Sequence, residues 1–135
     1  MTDLEIKPEK AIAIAVIKKG SDREVAIEHI EELKLLAETA GAEVVDVFTQ
    51  ELDRPNVATL IGSGKVKEIN EYIKENEIKL VIFDDDLSAM QTRNLDKAFE
   101  VKVIDRSGLI LDIFATRARS NEAKTQVELA QLQYL

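Results

Sequence analysis

Four short runs rich in Val and Ile, at residues 12–17, 44–49, 80–84 and 101–105, alternate along the chain with longer stretches in which apolar residues recur every three or four positions. The runs have the length and β-branched content of strands. The stretches between them have the period of amphipathic helices. Strands alternating with helices predict a parallel sheet built from βαβ units, an α/β fold. The first helix reads as starting at Ser21, with Glu24 at the spacing of a capping box. It turns Ala26, Ile30, Leu33, Ala37 and Ala40 to one face and ends in a left-handed cap at Gly41. A second helix is predicted from near Ser63 to about Asn76, with Val66, Ile69 and Ile73 inward. A third opens on the capping-box pair Ser88 and Gln91 and buries Leu95, Ala98 and Phe99.

Polarity orders the strands. Residues 12–17 and 80–83 are continuously apolar, as strands covered on both faces must be, whereas Asp46 and Lys102 interrupt the other two runs and suit edge positions. With right-handed crossovers the economical order of this four-stranded sheet is 2-1-3-4. The first helix then covers one face, and the second and third cover the other. The switch point falls between strands one and three, whose carboxyl ends carry Lys18, Lys19 and Gly20 on one side and Asp84, Asp85 and Asp86 on the other. Open α/β sheets bind ligands at such a point.

After Ser107 and Gly108 the pattern changes. Leu109, Ile110, Ile113 and Phe114 begin a helical stripe that Val127, Ala130 and Tyr134 continue, and neither Gly nor Pro interrupts it before Leu135. A helix of roughly 27 residues would be about 40 Å long. The expected organisation is an α/β subdomain over residues 1–106, followed at 107–135 by the first part of a long helix cut off in mid-pattern. Its unpartnered stripe would promote self-association.

Composition narrows the chemistry. The chain has no cysteine and one histidine, His29, so thiol chemistry, disulfides and the usual zinc sets are excluded. No apolar run has the length to cross a bilayer, and the acidic N-terminus is unlike a secretory signal, so the expected compartment is the cytoplasm, without a membrane partner. The net charge of −8 disfavours a protein whose whole surface grips nucleic acid. The charge is uneven, however. Residues 116–135 carry Arg117, Arg119 and Lys124 against Glu122 and Glu128, a balance of +1, and leave −9 on the rest. Any contact with RNA phosphates is therefore expected in the tail, where the competing reading of the three basic residues is a solvated helix face.

Gly62, Ser63, Gly64 and Lys65 imitate part of a phosphate loop, but Thr59 and Val66 stand where a Walker A motif needs Gly and Ser or Thr. They could still offer amides to an anion at a helix start; the preferred reading is a loop with Ser63 as N-cap. The long connection from Gln50 to Gly62 is expected to pack back on the domain through its apolar residues 57–61. Asp84, Asp85 and Asp86 are candidate ligands for Mg²⁺, but consecutive side chains diverge, and a capping or turn role for Asp86 or Ser88 is preferred. Asp105, Arg106, Ser107 and Gly108 read as a strand-to-helix turn, and His29 as an exposed helix residue. No catalytic residue is identified.

Several pieces, taken in order, resemble the HflX family of ribosome-associated GTPases. They are residues 37–44 (Ala-Glu-Thr-Ala-Gly-Ala-Glu-Val), Asp53-Arg54-Pro55 with residues 61–65 (Ile-Gly-Ser-Gly-Lys), residues 83–88 (Phe-Asp-Asp-Asp-Leu-Ser) and residues 105–115 (Asp-Arg-Ser-Gly-Leu-Ile-Leu-Asp-Ile-Phe-Ala). Ala118-Arg119, residues 122–124 and residues 126–131 complete the series. The resemblance implies an α/β subdomain, two long antiparallel helices joined by a glycine-rich basic loop that reaches into large-subunit ribosomal RNA, and then a P-loop GTPase domain. It implies the 50S subunit and its rRNA as partners, with a role in splitting or rescuing stalled ribosomes. GTP and Mg²⁺ belong, on this reading, to the GTPase domain that follows, and the chain itself hydrolyses nothing. Two other readings stay open: a nucleotide- or phosphate-binding module using the 62–65 turn and the switch point, and a pure interaction domain that positions or restrains a GTPase.

Overall fold

The computed structural model describes residues 8–120, with side chains to residue 115. Four parallel strands, β1 (Glu9–Lys18), β2 (Ala42–Leu52), β3 (Leu80–Phe83) and β4 (Lys102–Asp105), form one sheet in the order β2-β1-β3-β4. Helices α1 (Arg23–Thr39), α2 (Ser63–Glu75) and α3 (Ala89–Phe99) make the crossovers, and α4 (Arg106–Ser120) follows β4 directly. The predicted strand order and edge positions hold. β3 is buried at all four positions, and β1 is buried from Ala11 to Ala15 and again at Ile17, because helices cover both faces of the central strands.

Two cores follow from this layering. On one face Ile12, Ile14, Val81, Phe83 and Val103 meet Ile69 and Ile73 of α2 and Leu95 and Phe99 of α3. On the other, Ala11, Ala13, Leu80 and Ile82 meet Leu33 and Ala37 of α1 together with Leu109 and Ile113 of α4. The alternation of Ile with Ala along β1 explains the asymmetry: the alanines leave room for α1 to lie close, while the isoleucines fill the wider α2–α3 side. The first turns of α4 thus complete the α/β core. The predicted continuation of this helix through residues 121–135, with its exposed stripe, lies outside the described residues.

The helix ends differ from expectation at two places. α1 is capped by Asp22, whose carboxylate accepts the Glu24 amide at 2.9 Å. Ser21, the expected cap, instead donates its hydroxyl to the Lys18 carbonyl within the turn that leaves β1. At α2 the cap is Gly62, with no side-chain bond, and Ser63 is the first helical residue. The expected capping box of α3 is present: Ser88 accepts the Gln91 amide and Gln91 accepts the Ser88 amide. Gly41, at φ +87°, ends α1 in the left-handed region as predicted.

β2 runs three residues further than its apolar pattern, to Leu52, staying in register with β1 to Lys18. A bulge at Val45 kinks this edge strand, and Asp46 covers the Val47 amide at 2.8 Å, two features that blunt a free edge. The shortened connection 53–62 packs back as expected. Asn56 and Leu60 form an antiparallel bridge, and the Asn56 side chain accepts the amides of Ala58 and Thr59. Leu60 and Ile61 are buried. Leu60 sits at φ +67°, a conformation that costs a branched side chain roughly 1–2 kcal/mol and that the bridge and the burial offset.

Candidate functional site

The predicted switch-point crevice exists. At the carboxyl ends of β1 and β3 a cavity of about 340 Å³ opens between Ala15–Lys18, the start of α1, and Asp84 and Asp85. Its charged and polar walls are Lys18, Ser21, Asp22, His29, Asp84 and Asp85. Three carboxylates against one lysine make this an environment that disfavours an anionic ligand.

The three consecutive aspartates diverge, and each already has a partner. Asp84 accepts Nε of Arg106 at 3.0 Å and also its Nη2. Asp85 accepts the Val16 amide at 2.9 Å. Asp86 accepts the Ser107 hydroxyl at 3.3 Å. No group of three His, Asp or Glu side chains among the described residues is placed to share a metal ion. Burial raises the Asp85 carboxyl above its ordinary value. The bonds from Val16 and from its own amide pull it back, and the charges of Asp84 and Asp86 push it up further.

Residues 105–108, read from the sequence as a turn, are the counterpart of this acidic segment. Asp105 accepts the Leu87 amide at 3.0 Å with one oxygen and the Gly108 amide at 2.8 Å with the other, so one side chain caps α4 and ties down the loop after β3. Arg106 grips three residues on two elements at once: Asp84 after β3, and on α1 the His29 carbonyl at 2.6 Å and Glu32 at 3.5 Å. The His29 ring stands 3.8 Å from the second Asp84 oxygen. Two sequence segments about twenty residues apart therefore form one interlock. The sequence carried the signal in the polar residues of 84–86 and 105–108, but not their pairing.

The 62–65 turn is placed apart from the crevice lining. The Gly62 amide donates to the Gln50 side chain at 2.9 Å. The Lys65 ammonium lies 3.3 Å from Glu68 and 5.9 Å from the centroid of the Phe48 ring, which in turn meets Tyr72 edge-on at 5.1 Å. Two contacts invisible in the sequence hold the neighbouring loop: Gln91 donates to the Asn56 carbonyl at 2.9 Å and Asn94 to the Ala58 carbonyl at 3.0 Å. Of the basic candidates, Arg117 and Arg119 lie on the backbone of α4, but their side chains, like all of Lys124, lie outside the described residues.

Comparison with known proteins follows the same outline. Residues 27–115 match the family described as GTP-binding GTPase N-terminal. The chain is similar to GTPase HflX of Flavobacterium psychrophilum, at 46% identity over 127 residues that cover 94% of this chain and 31% of that protein. It is similar to GTPase HflX of Escherichia coli at 47% identity over 109 residues, 81% of this chain and 26% of that protein. A crystal structure of a GTP-binding protein from the hyperthermophilic archaeon Sulfolobus solfataricus in complex with GDP superposes with a TM-score of 0.62 at 30% identity, covering 93% of this chain and 36% of that one. The chain spans about a third of the length of the curated relatives it matches.

Proposed function

The chain belongs to the HflX family of GTPases and carries the family's N-terminal domain, and on that premise we propose that it is the non-hydrolytic base of an arm with which a GTPase acts on the large ribosomal subunit. The observation that carries this reading is the interlock between residues 84–87 and 105–108. It fixes the first turn of α4 to the sheet and to α1, so the helix leaves the domain in a set direction. That helix carries Arg117 and Arg119, and Lys124 follows them in the sequence, in the segment where the charge balance turns positive, while the rest of the chain is acidic. An acidic body held away from RNA and a basic arm directed toward it divide the two tasks.

Hydrolysis is assigned to the GTPase domain of the longer protein, where GTP and Mg²⁺ would bind. Phosphoryl transfer needs a phosphate cradle, a metal and a positioned water. Thr59 and Val66 depart from a Walker A motif, and the carboxylates of Asp84, Asp85 and Asp86 are engaged with Arg106, Val16 and Ser107. The competing reading, a phosphate-binding module at the 62–65 turn or the crevice, is weakened by the Lys65–Glu68 pair and by the acidic crevice wall. Two measurements test the proposal together. The purified chain should release no phosphate from GTP above a buffer blank and should give no heat on calorimetric titration with ATP or GTP. Turnover would overturn the non-hydrolytic role, and saturable heat would favour the phosphate-binding module.

A further inference from the structure

We propose that Arg106 is a positioning residue that couples the switch-point crevice to α4, so that the state of one is felt at the other. The same two residues serve both. Asp84 and His29 wall the crevice, and Asp84 with the His29 carbonyl holds the guanidinium at the head of α4. The pair is shielded: the Asp84 side chain is 14% exposed and that of Arg106 25%. Charge-assisted bonds in such surroundings are stronger than surface ion pairs, and without Asp84 the guanidinium keeps only the more exposed Glu32 carboxylate, at 3.5 Å, and the His29 carbonyl.

The coupling has a defined mechanical route. Arg106 is the first residue of α4, so its bonds to Asp84 tie the first turn to the loop after β3. Ser107 and Gly108 bind the same loop through Asp86 and Asp105, and Asp105 also holds Leu87. A strain on α4 therefore reaches residues 84–87. From there Asp85 carries it to the Val16 amide at the far wall of the crevice. In the reverse direction, anything that draws Asp84 or Asp85 into the crevice weakens the hold on α4. Such linkage is reciprocal by thermodynamic necessity. It rests on this chain's own contacts and does not depend on which partner engages α4.

Hydrogen exchange on the whole chain tests it, comparing wild type with Arg106→Lys, Asp84→Asn and the double variant. Arg106→Lys keeps the charge and loses the fork; Asp84→Asn keeps the shape and loses the charge. Each single variant should speed exchange about tenfold or more at α4 amides 109–113 and also at the Val16 amide across the crevice. The amides of α2 and α3 should be unchanged, and the double variant no faster than the faster single one. Faster exchange confined to α4, with Val16 at its wild-type rate, would reduce Arg106 to a local anchor and overturn the coupling. A uniform rise through α2 and α3 would overturn it equally, as loss of overall stability, and so would additive effects in the double variant.

Discussion

Val16 on β1 donates its amide to the Asp85 side chain at 2.9 Å, where a strand carbonyl would otherwise stand. The ladder between β1 and β3 ends at the Ile14–Phe83 pair, with the Asp84 amide reaching back to the Ile14 carbonyl. β1 runs on, and the Asp85 carboxylate extends the sheet's bonding by one more position. Satisfying that amide in this way puts a carboxylate in a partly buried place.

The consequence is a pH dependence of known sign. Burial holds the Asp85 carboxyl above its ordinary value, so the fold prefers the protonated form. The stability this group contributes is full below the ordinary carboxylate range, near pH 4, and is lost as pH rises through the raised value. Asp85→Asn keeps an oxygen acceptor for Val16 without the charge. It should be at least as stable as wild type at pH 7, and the acid-range slope of stability against pH should change by the loss of this descending contribution. Urea unfolding from pH 4 to 7 checks it, and a variant clearly less stable at pH 7 would contradict it.

Asp105 should matter more for stability than its place in a four-residue turn implies. Asp105→Ala removes the cap of α4 and the acceptor for Leu87 together. A lost cap costs about 1 kcal/mol and a lost bond to a charged group about 1.5–3 kcal/mol. Chemical denaturation should therefore show a loss of about 2.5–4 kcal/mol. A loss below about 1 kcal/mol would mean that water replaces both bonds.

The loop 53–62 depends on α3. Gln91 and Asn94 donate to two of its carbonyls, and Gln91 also closes the capping box of α3. Asn94→Ala should cost about 1 kcal/mol and Gln91→Ala somewhat more. Both should speed hydrogen exchange at Ala58 and Thr59, whose amides rest on the Asn56 side chain. Unchanged exchange there would mean that the Asn56 turn holds these amides without help from α3.

The sheet was legible in the sequence because burial on both faces requires unbroken apolar runs. That requirement marked β1 and β3 as central, and the polar interruptions Asp46 and Lys102 marked the edges. The N-capping residues were legible only where two cap partners fit together, as at Ser88 and Gln91, although the start of α2 near Ser63 was legible from the apolar pattern. At Ser21 the neighbouring Asp22 is the stronger acceptor for the first-turn amides, and the serine hydroxyl satisfies Lys18 instead. The extension of β2 through Gln50 was hidden because its stabilisation is not hydrophobic: Gln50 turns its side chain to the Gly62 amide. The candidate site was legible as segments but not as an assembly. Nothing local in Asp84 or Arg106 announces a bond across 22 residues, because it depends on where β3, β4 and α1 bring their ends.

Whether this domain aims a basic arm at ribosomal RNA, as proposed, is read out by salt-dependent pelleting with large ribosomal subunits. A longer HflX-family protein carrying this domain would be compared with its Arg117→Ala, Arg119→Ala double variant across a salt series. Each phosphate contact adds about 0.7–0.9 to the magnitude of the log-log salt slope. If both arginines touch phosphate, the double variant binds more weakly, with a slope shallower by about 1.4–1.8. Unchanged affinity and slope would contradict it, leaving the two arginines as a solvated helix face.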